Sequence, residues 1–445
     1  MVVMGKDIYL FGGQGRTMFE ELRLIDTTHK LDWNWVLLDT GDVTPKKKDG
    51  ESTPKTEEGG EVADRPGPRT ATVFSRWGDK LILFGGSGPY ISHIKSRRSY
   101  YDIYLFDTKT KRWNQNKTKI KGKQSLNKRI NHAGDVLGSI LAVYGGYDSE
   151  AKEILDDLVL YDIEEHAWVD ADIRYLKNEQ GKIGKRSKLT VTSVFFNGSG
   201  MFNDAQNPKS LKWSRRLWFQ EALQKPFSPA EFAKTGHSGF KYGIFIFGGF
   251  STLTENAVGD LWLIQPDTRV NESIICDNRD PKSIYNGKES AYLMGYEMHL
   301  RATNISKYAK GRAPSARYAH QATSISKGRY LVISGGRNNA MFKTLGNIAM
   351  NDINLFNTQS FEWETLAMFG HLPLSRWNHS ILGLEDGERL MIFGGLNMTA
   401  YMSSSSLYVF ELGDYAVENF QAKAKFQVSE LQNKARAIQG GSIPQ

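Results

Sequence analysis

The chain has 445 residues, of which 40% are apolar and 12% aromatic, so it can bury a substantial core. Its formal net charge is +8 and its mean hydropathy is −0.46. No apolar run approaches the about 18 residues that a membrane span needs, and the first residues lack the basic and apolar regions of a secretory signal. A single cysteine, Cys276, excludes a disulfide framework within the chain and a cysteine-based zinc site. We therefore expect a cytoplasmic protein without membrane insertion.

Six times along the chain, a short apolar strand runs directly into a pair of glycines. The apolar runs predict β-strands, and their recurrence predicts an internal repeat. Glycine permits backbone angles and close approaches that a Cβ atom would forbid, so each pair is expected to mark a turn. The pairs stand at residues 12–13, 85–86, 145–146, 248–249, 335–336 and 394–395.

Three further signals recur in a fixed order around the glycine pairs. Upstream, a basic residue precedes a histidine by three positions, and Arg69 precedes Thr72 at the same spacing. Downstream, an acidic residue opens an alternating strand, and a tryptophan follows. The basic and histidine pairs are Arg129 and His132, Lys234 and His237, Arg317 and His320, and Arg376 and His379. The acids are Asp102, Asp157, Asp260 and Asp352; the tryptophans are Trp113, Trp168, Trp363 and either Trp33 or Trp35.

Each repeat therefore predicts four short strands, with a tryptophan large enough to fill the wedge between neighbouring sheets. These residues resemble the kelch repeat, and the sixth copy shows it best, with Trp363, Arg376 and His379 ahead of its glycine pair. The resemblance covers almost the whole chain. It implies an all-β fold, namely a single kelch-type β-propeller of six four-stranded blades.

The repeats are longer than the about 50 residues of a compact kelch blade, so we predict insertions at residues 42–68, 197–234 and 268–310. A degenerate seventh blade, with residues 189–196 as one strand, is the alternative. The first repeat begins at its glycine strand. We therefore expect residues 1–413 to form the propeller and residues 414–445 to supply a closing strand, at 424–431, and a tail. A helix over 422–438 is the other interpretation of this segment.

The repeated titratable residues do not predict a catalytic site. The histidines belong to different repeats, which indicates packing or strand bridging rather than a metal site, and the acids indicate turn or inter-blade hydrogen bonds. Residues 12–16 lack the lysine and helix of a phosphate-binding loop. We predict no catalytic residue, metal or cofactor. The alternative is a kelch-type enzyme, metal- or sugar-dependent, with a site at the central channel.

The loops that follow the glycine pairs gather on one face of a propeller, where a rigid scaffold can present them to a partner. They are rich in tyrosine, arginine and asparagine, and aromatic residues and arginine are enriched at interaction hot spots. The predicted protein-binding residues are Arg16, Tyr90, Arg97, Arg98, Tyr101, Tyr147, Phe250, Arg337, Asn338 and Tyr401.

A second candidate is the segment from Lys111 to Arg129, which carries eight basic residues and no acid. It is either a solvated loop or an electrostatic contact for an acidic partner. Its one aromatic residue, Trp113, belongs to the repeat, so nucleic acid is disfavoured. The predicted contact residues are Lys117, Lys119, Lys121 and Lys123. The resulting hypothesis is a non-catalytic scaffold that binds other proteins, with an acidic surface or filament as a candidate partner, in an intracellular or cytoskeletal assembly.

Overall fold

The computed structural model of the chain describes residues 1–28, 33–38, 40, 65–93, 95–116, 118–120, 128–175, 181–196, 227–267, 297–341, 349–368, 370, 373–384, 389–397 and 404–412. In these residues the fold is all-β, and small antiparallel sheets surround a central cavity as in a β-propeller. Within the described ranges, no helix is long and apolar enough to cross a membrane.

The sheets of the first two repeats have four antiparallel strands each, in chain order. The strands of repeat 1 are β1 (Val2–Met4), β2 (Asp7–Phe11), β3 (Leu22–Asp26) and β4 (Val36–Leu37). The strands of repeat 2 are β5 (Val73–Trp77), β6 (Lys80–Ile91), β7 (Ser96–Asp107) and β8 (Arg112–Gln115). Because β1 pairs with β2, the prediction that repeat 1 lacks its initial strand is wrong. Residues 414–445, expected to supply that strand, lie outside the described residues.

Repeats 3 and 4 share one ten-stranded sheet. The strands of repeat 3 and the segments beside it are β9 (Lys119–Ile120), β10 (Arg129–Ile130), β11 (Ala133–Leu137), β12 (Ile140–Tyr144), β13 (Tyr147–Asp148), β14 (Glu153–Ile154), β15 (Leu158–Asp162) and β16 (Ala167–Tyr175). Repeat 4 contains β17 (Arg186–Ser187), β18 (Thr190–Phe195), helix α1 (Pro229–Thr235), β19 (Tyr242–Ser251), β20 (Asn256–Pro266) and β21 (Glu297–Asn304). The outer strands β16 and β21 pair in parallel and join the two repeats.

Two segments of repeat 4 bear on the sequence analysis, one on the alternative seventh blade and one on a predicted insertion. Strand β18 pairs with β19, so residues 189–196 belong to repeat 4 rather than to a remnant seventh repeat. Strand β21 pairs with β20, so residues 297–304 of the predicted insertion 268–310 are the outer strand of the sheet. Helix α1 begins within the predicted insertion 197–234, ends one residue after it and buries Phe232 in the core.

The last two repeats complete the described fold. Repeat 5 and the residues around it contain the 3-10 helix Ile305–Lys307, β22 (Lys310–Gly311), β23 (Gln321–Ile325), β24 (Tyr330–Ser334), the 3-10 helix Asn339–Met341, β25 (Ile353–Asn357) and β26 (Glu362–Thr365). Repeat 6 contains β27 (Arg376–Trp377), β28 (Ser380–Gly383), β29 (Arg389–Phe393), β30 (Leu396–Asn397) and β31 (Leu407–Glu411). Its main sheet, in the order β28, β29 and β31, has three strands among the described residues.

The first strand of each repeat's main sheet lines the cavity. These strands are β1, β5, β11, β18, β23 and β28. Each contacts the next one along the chain, and β28 contacts β1, so the inner wall is continuous.

The repeated tryptophans fill the wedges between neighbouring sheets. Trp363 packs on Phe247, the residue before the glycine pair of the preceding repeat, with ring centroids 5.8 Å apart. Trp113 packs in the same way on Phe11 of repeat 1, and Trp168 packs on Phe84 of repeat 2. In repeat 1, Trp35 packs on Phe393 of repeat 6 at 5.3 Å, and this contact joins the ends of the described chain. Such aromatic pairs each contribute about 0.5–1.5 kcal/mol beyond the area that they bury.

Candidate functional site

Four repeats hold their glycine pair with the same buried arginine, which we call the arginine latch. The guanidinium donates to both oxygens of an aspartate that lies in the third strand or directly before it, at 2.5 to 3.1 Å. It also donates to the carbonyl of the first glycine, at 2.9 to 3.2 Å. The pairs are Arg69 with Asp102, Arg129 with Asp157, Arg186 with Asp260, and Arg317 with Asp352. The repeated acids are therefore structural ion-pair partners.

The latch arginine also ties its repeat to the preceding one. The Arg317 amide donates to the Val258 carbonyl, and the Arg317 carbonyl accepts from the amide of Gly249, both in repeat 4. Burial alone would raise the pKa of Asp352, but the hydrogen bonds and charge of Arg317 outweigh it and hold that pKa below its ordinary value. The aspartate thus stays charged within its latch.

The latch corrects one sequence prediction. In repeat 4 the basic residue is Arg186, whereas Lys234 lies in helix α1 and His237 is exposed. The pair Lys234 and His237 is therefore not a copy of the repeat. Three positions after Arg186, Leu189 fills the place that histidine takes in repeats 3, 5 and 6.

The three repeat histidines pack against glycines of the preceding repeat, which is the packing role predicted for them. A Cβ atom on Gly85 would lie 2.9 Å from His132 Cε1, so glycine is required for the two sheets to approach. His320 and His379 meet Gly248 and Gly335 in the same way. Burial lowers the pKa of His132 and His379 to about 3 and that of His320 well below its ordinary value, so these imidazoles are neutral.

A ring of backbone turns surrounds the cavity mouth on the glycine-loop face. Two residues after each latch arginine, the chain adopts a positive φ of 53° to 55°, at Ala71, Asn131, Lys188, Ala319 and Asn378. The Lys188 amide donates to the Asn131 carbonyl at 2.8 Å, Ala319 to Lys188 at 2.8 Å, and Asn378 to Ala319 at 2.9 Å. At the mouth, these hydrogen bonds therefore link repeats 3, 4, 5 and 6.

The cavity behind this mouth has a volume of about 1950 Å³ and a basic wall. Its charged lining comprises two acids, Glu21 and Asp135, and seven basic residues, Arg16, Arg23, Arg76, Arg97, Lys188, Lys327 and Arg329. The carboxylate of Asp135 accepts hydrogen bonds from the Ser75 hydroxyl and the Ser193 amide, so it ties three inner strands together. In the described part of the chain, no group of three histidine, cysteine, aspartate or glutamate side chains is placed to hold a metal.

Four of the predicted binding residues lie on one hairpin, formed by β6 and β7 beyond the glycine pair. Tyr90 is 61% exposed, Tyr101 is 49% exposed and Arg98 is exposed, while Arg97 is half-buried with Nη1 3.5 Å from Met18 Sδ of repeat 1. The hairpin also reaches repeat 3, where the hydroxyls of Ser99 and Ser149 lie 2.9 Å apart. We call the set Tyr90, Arg97, Arg98 and Tyr101 the hairpin surface.

A second cluster lies at the mouth between repeats 4, 5 and 6. Lys188 Nζ lies 5.6 Å from the Tyr318 ring centroid, and the Arg337 guanidinium lies 5.5 Å from Tyr318 and 4.9 Å from Trp377. Arg337 donates to Asn339, but its Nε is buried without a hydrogen-bond partner. We call Lys188, Tyr318, Arg337 and Trp377 the mouth cluster.

The other predicted contact residues have different surroundings. The Asn338 side chain is buried and donates to the Ala316 carbonyl at 2.9 Å, which fixes its own loop. Phe250 packs on Tyr318 at 5.6 Å, and Tyr147 is half-buried in β13. Arg16 is exposed at the mouth. Tyr401, Lys117, Lys121 and Lys123 lie outside the described residues; Lys119 belongs to β9, which pairs in parallel with β16.

Three members of the mouth cluster, Lys188, Tyr318 and Trp377, are absent from the predicted set. All three stand one or two positions after a latch arginine, where the sequence alone offers only a variable residue between two repeat positions. The repeat alignment could have revealed Lys188, because aligning Arg186 with the other latch arginines places Lys188 at the same mouth position as Asn131 and Ala319.

Comparison with known proteins identifies the repeats. The family model described as the KLHDC2/KLHL20/DRC7 Kelch-repeats domain matches residues 1–195 and 285–442. The chain is 25% identical over 385 residues to the N-(sulfonatooxy)prop-2-enimidothioate sulfolyase of Thlaspi arvense, covering 79% of this chain and 94% of that protein. It is 23% identical to Kelch domain-containing protein 3 of Rattus norvegicus, covering 67% of this chain and 72% of that protein.

Two other comparisons bear on the fold or on short segments only. The structure titled Structure of YjhT superposes with a TM-score of 0.52 and 11% identity, over 96% of this chain and 95% of that one, which supports the fold alone. The chain also spans 6% and 7% of two Dictyostelium discoideum relatives, a probable serine/threonine-protein kinase and a Rho GTPase-activating protein.

Proposed function

Because the chain belongs to the kelch-repeat family, we propose that it is a non-catalytic protein-binding subunit of a larger intracellular assembly. We propose further that it binds an acidic segment of its partner on the glycine-loop face. The observation that carries the proposal is the meeting of unpaired cations and aromatic rings at the cavity mouth. A cytoskeletal assembly is one variant of this function.

The mouth cluster is suited to carboxylates. Among the described residues, neither Lys188 nor Arg337 forms an ion pair. Lys188 is exposed beside the Tyr318 ring, and Arg337 is half-buried next to the Tyr318 and Trp377 rings. A charged hydrogen bond made in such surroundings is stronger than one made in open solvent. The buried Arg337 Nε offers a donor that the described fold leaves unused.

The hairpin surface provides contact area next to the same mouth. Two exposed tyrosines and two arginines lie on a strand pair braced by repeats 1 and 3, so their positions are set before a partner arrives. Tyrosine and arginine carry much of the binding energy at protein interfaces, and a preorganised surface loses less entropy on binding. An acidic segment that spans the mouth could contact both clusters.

The test is quantitative mass spectrometry of the proteins that co-purify with the full chain from its own cells. The charge reversals Arg97→Glu with Arg98→Glu, and Lys188→Glu with Arg337→Glu, should each remove the specific partners and leave the fold intact by circular dichroism. The matched control reverses Lys111 and Arg112, which are exposed at the opposite end of repeat 2. Undiminished partner recovery from both folded face variants, at levels equal to the control, would refute this face as the binding surface.

We also propose that the six repeats form six blades of one closed ring within residues 1–413. The continuity of the inner strands from β28 to β1 and the contact of Trp35 with Phe393 support this count. Intramolecular cross-linking between cysteines introduced at Val3 and Leu382, which belong to one apolar cluster across the two ends, tests the closure.

The competing function is catalytic, and the specific observation in its favour is the similarity to an enzyme named as a sulfolyase, over 79% of this chain and 94% of that protein. Elemental analysis of the purified chain separates the two proposals. A stoichiometric metal that survives dialysis, together with loss of that metal after substitution of cavity residues, would favour an enzyme over the scaffold.

A further inference from the structure

Repeat 6 lacks one half of the arginine latch. Its strand β31 pairs with β29 so that Leu407 lies opposite Phe393, just as Ile353 lies opposite Ser334 in repeat 5. The residue before this pair is Asp352 in repeat 5 and Ser406 in repeat 6. The main chain is the same at both places, because the first glycine amide donates to the carbonyl of Asp352 or Ser406 at 3.1 Å. A serine therefore stands where four other repeats have aspartate.

The arginine of this latch is nevertheless in place. Arg376 is 4% exposed, and it donates from Nη1 to the Gly394 carbonyl at 2.8 Å and from Nε to the Leu374 carbonyl at 3.0 Å. Its guanidinium lies 4.7 Å from the Tyr408 ring centroid, and no carboxylate of the described residues pairs with it. Burial lowers the pKa of Arg376, an effect that Tyr408 partly offsets. A buried cation without a counter-charge is costly, so a nearby anion would be stabilising.

The missing carboxylate position is polar and reachable from solvent. In the four complete latches, the aspartate side chains are 20% to 34% exposed although their arginines are buried. In repeat 6, Ser404 and Ser406 are half-buried, and their hydroxyls lie 3.0 Å apart. The cavity also reaches Ser404. Serine is shorter than aspartate, so its side chain cannot supply an acceptor to both terminal nitrogens of the arginine.

We propose that Arg376, Ser404 and Ser406 form an oxyanion site, in which an external carboxylate or phosphate takes the place of the aspartate carboxylate. The guanidinium supplies a planar pair of donors that matches such anions. The Ser406 hydroxyl accepts from Ser404, so its own proton can be donated to the anion. Bound there, the anion joins β27 to the residues directly before β31 and completes the latch of repeat 6. The site shares no residue with the hairpin surface or the mouth cluster, so it stands without the function proposed above.

The test is thermal unfolding of the full chain in increasing inorganic phosphate, with ionic strength held constant by chloride. The wild-type melting temperature should rise and saturate, because a ligand that binds only the folded state stabilises it by mass action. Ser406→Asp should start about 2 °C higher and lose the phosphate response, since its own carboxylate fills the site. Ser405→Asp, which places the same charge on an exposed neighbour, should behave like the wild type.

Two more variants keep the test independent of folding defects at Arg376. Arg376→Met should lose the phosphate response. If that variant does not fold, Asp352→Ser tests the same idea by creating a site instead of removing one. That substitution copies the incomplete latch into repeat 5 and should create a second phosphate response beside Arg317. Arg97→Glu with Arg98→Glu should keep the wild-type response, which separates this site from the partner-binding face.

The source of the anion is resolved by two further probes, acetate and a poly-glutamate peptide. A response to phosphate or acetate assigns the site to free anions, whereas a response to the peptide alone assigns it to acidic side chains of a partner. Equal melting temperatures and equal responses of wild type and Ser406→Asp with all three probes would overturn the proposal.

Discussion

Lowering the pH should destabilise the protein through its three buried histidines. His132, His320 and His379 are at most 7% exposed, and both ring nitrogens of His132 and His379 are buried without hydrogen-bond partners. Each imidazole lies against glycine backbone and close to a latch arginine, whose positive charge disfavours protonation further. These imidazoles can therefore be protonated only when the sheets separate and the rings reach solvent.

The size of the effect follows from the shift in pKa. The folded-state pKa of His132 and of His379 is about 3, whereas an unfolded histidine has a pKa of about 6.5. Between these values only the unfolded state binds the proton, so the stability that is fully present above about pH 6.5 is lost as the pH falls toward about 3. Between neutral pH and about pH 5, the free energy of unfolding of the protein should fall by about 2 kcal/mol for each of these two histidines.

The assay is denaturant unfolding at about pH 7 and about pH 5, with the difference between the two free energies as the readout. His132→Leu is the best-matched variant, because Leu189 fills the same repeat position in repeat 4. It should reduce the pH-dependent loss by about 2 kcal/mol. The control His237→Leu changes an exposed histidine and should leave the loss unchanged. Identical pH dependence in wild type and His132→Leu would refute a neutral, desolvated histidine between the sheets.

Further predictions concern the packing between repeats, and unfolding free energies measured by denaturant titration check all of them. Gly335→Ala should cost about 1–3 kcal/mol more than Gly236→Ala, because both glycines have positive φ but only the first would place its Cβ 2.6 Å from the Arg376 carbonyl oxygen. Trp363→Ala should cost about 3–5 kcal/mol, since the ring fills the wedge between repeats 4 and 5; a loss below 1 kcal/mol would contradict that role. Phe227→Ala should also cost about 3–5 kcal/mol, because the Phe227 ring is buried against helix α1 and repeat 5.

The parts of the fold that the sequence predicts are those imposed by close contacts within the repeat. The glycine pairs, the histidines and the tryptophans recur because each sheet must approach its neighbour in the same way. The chemistry of one contact, Gly248 against His320, therefore recurs with the same residue types between Gly85 and His132 and between Gly335 and His379. The family resemblance rests on these positions, and the fold agrees with it.

The prediction failed where a long separation or a chance spacing replaced that local chemistry. Lys234 and His237 match the repeat spacing by coincidence, while the true latch residue Arg186 precedes its glycine pair by a long insertion. The parallel pairing of β16 with β21 joins residues more than a hundred positions apart, and no local pattern marks it. Strand β1 is only three residues long, so it gave little periodic signal.

The variation among repeats separates structural from functional residues more sharply than their similarity does. A complete latch such as Arg317 with Asp352 is satisfied internally, so an external anion has nothing to add there. Where a repeat keeps the arginine but loses the acid, as at Arg376 and Ser406, the same geometry becomes able to bind one. The mouth position shows the same relation, because a turn that repeat 5 fills with Ala319 carries the unpaired cation Lys188 in repeat 4. In a propeller, where every blade must satisfy the same packing, a departure that leaves a buried charge such as Arg376 without a counter-charge is the kind of change that packing does not require, and anion binding is the role that its chemistry supports.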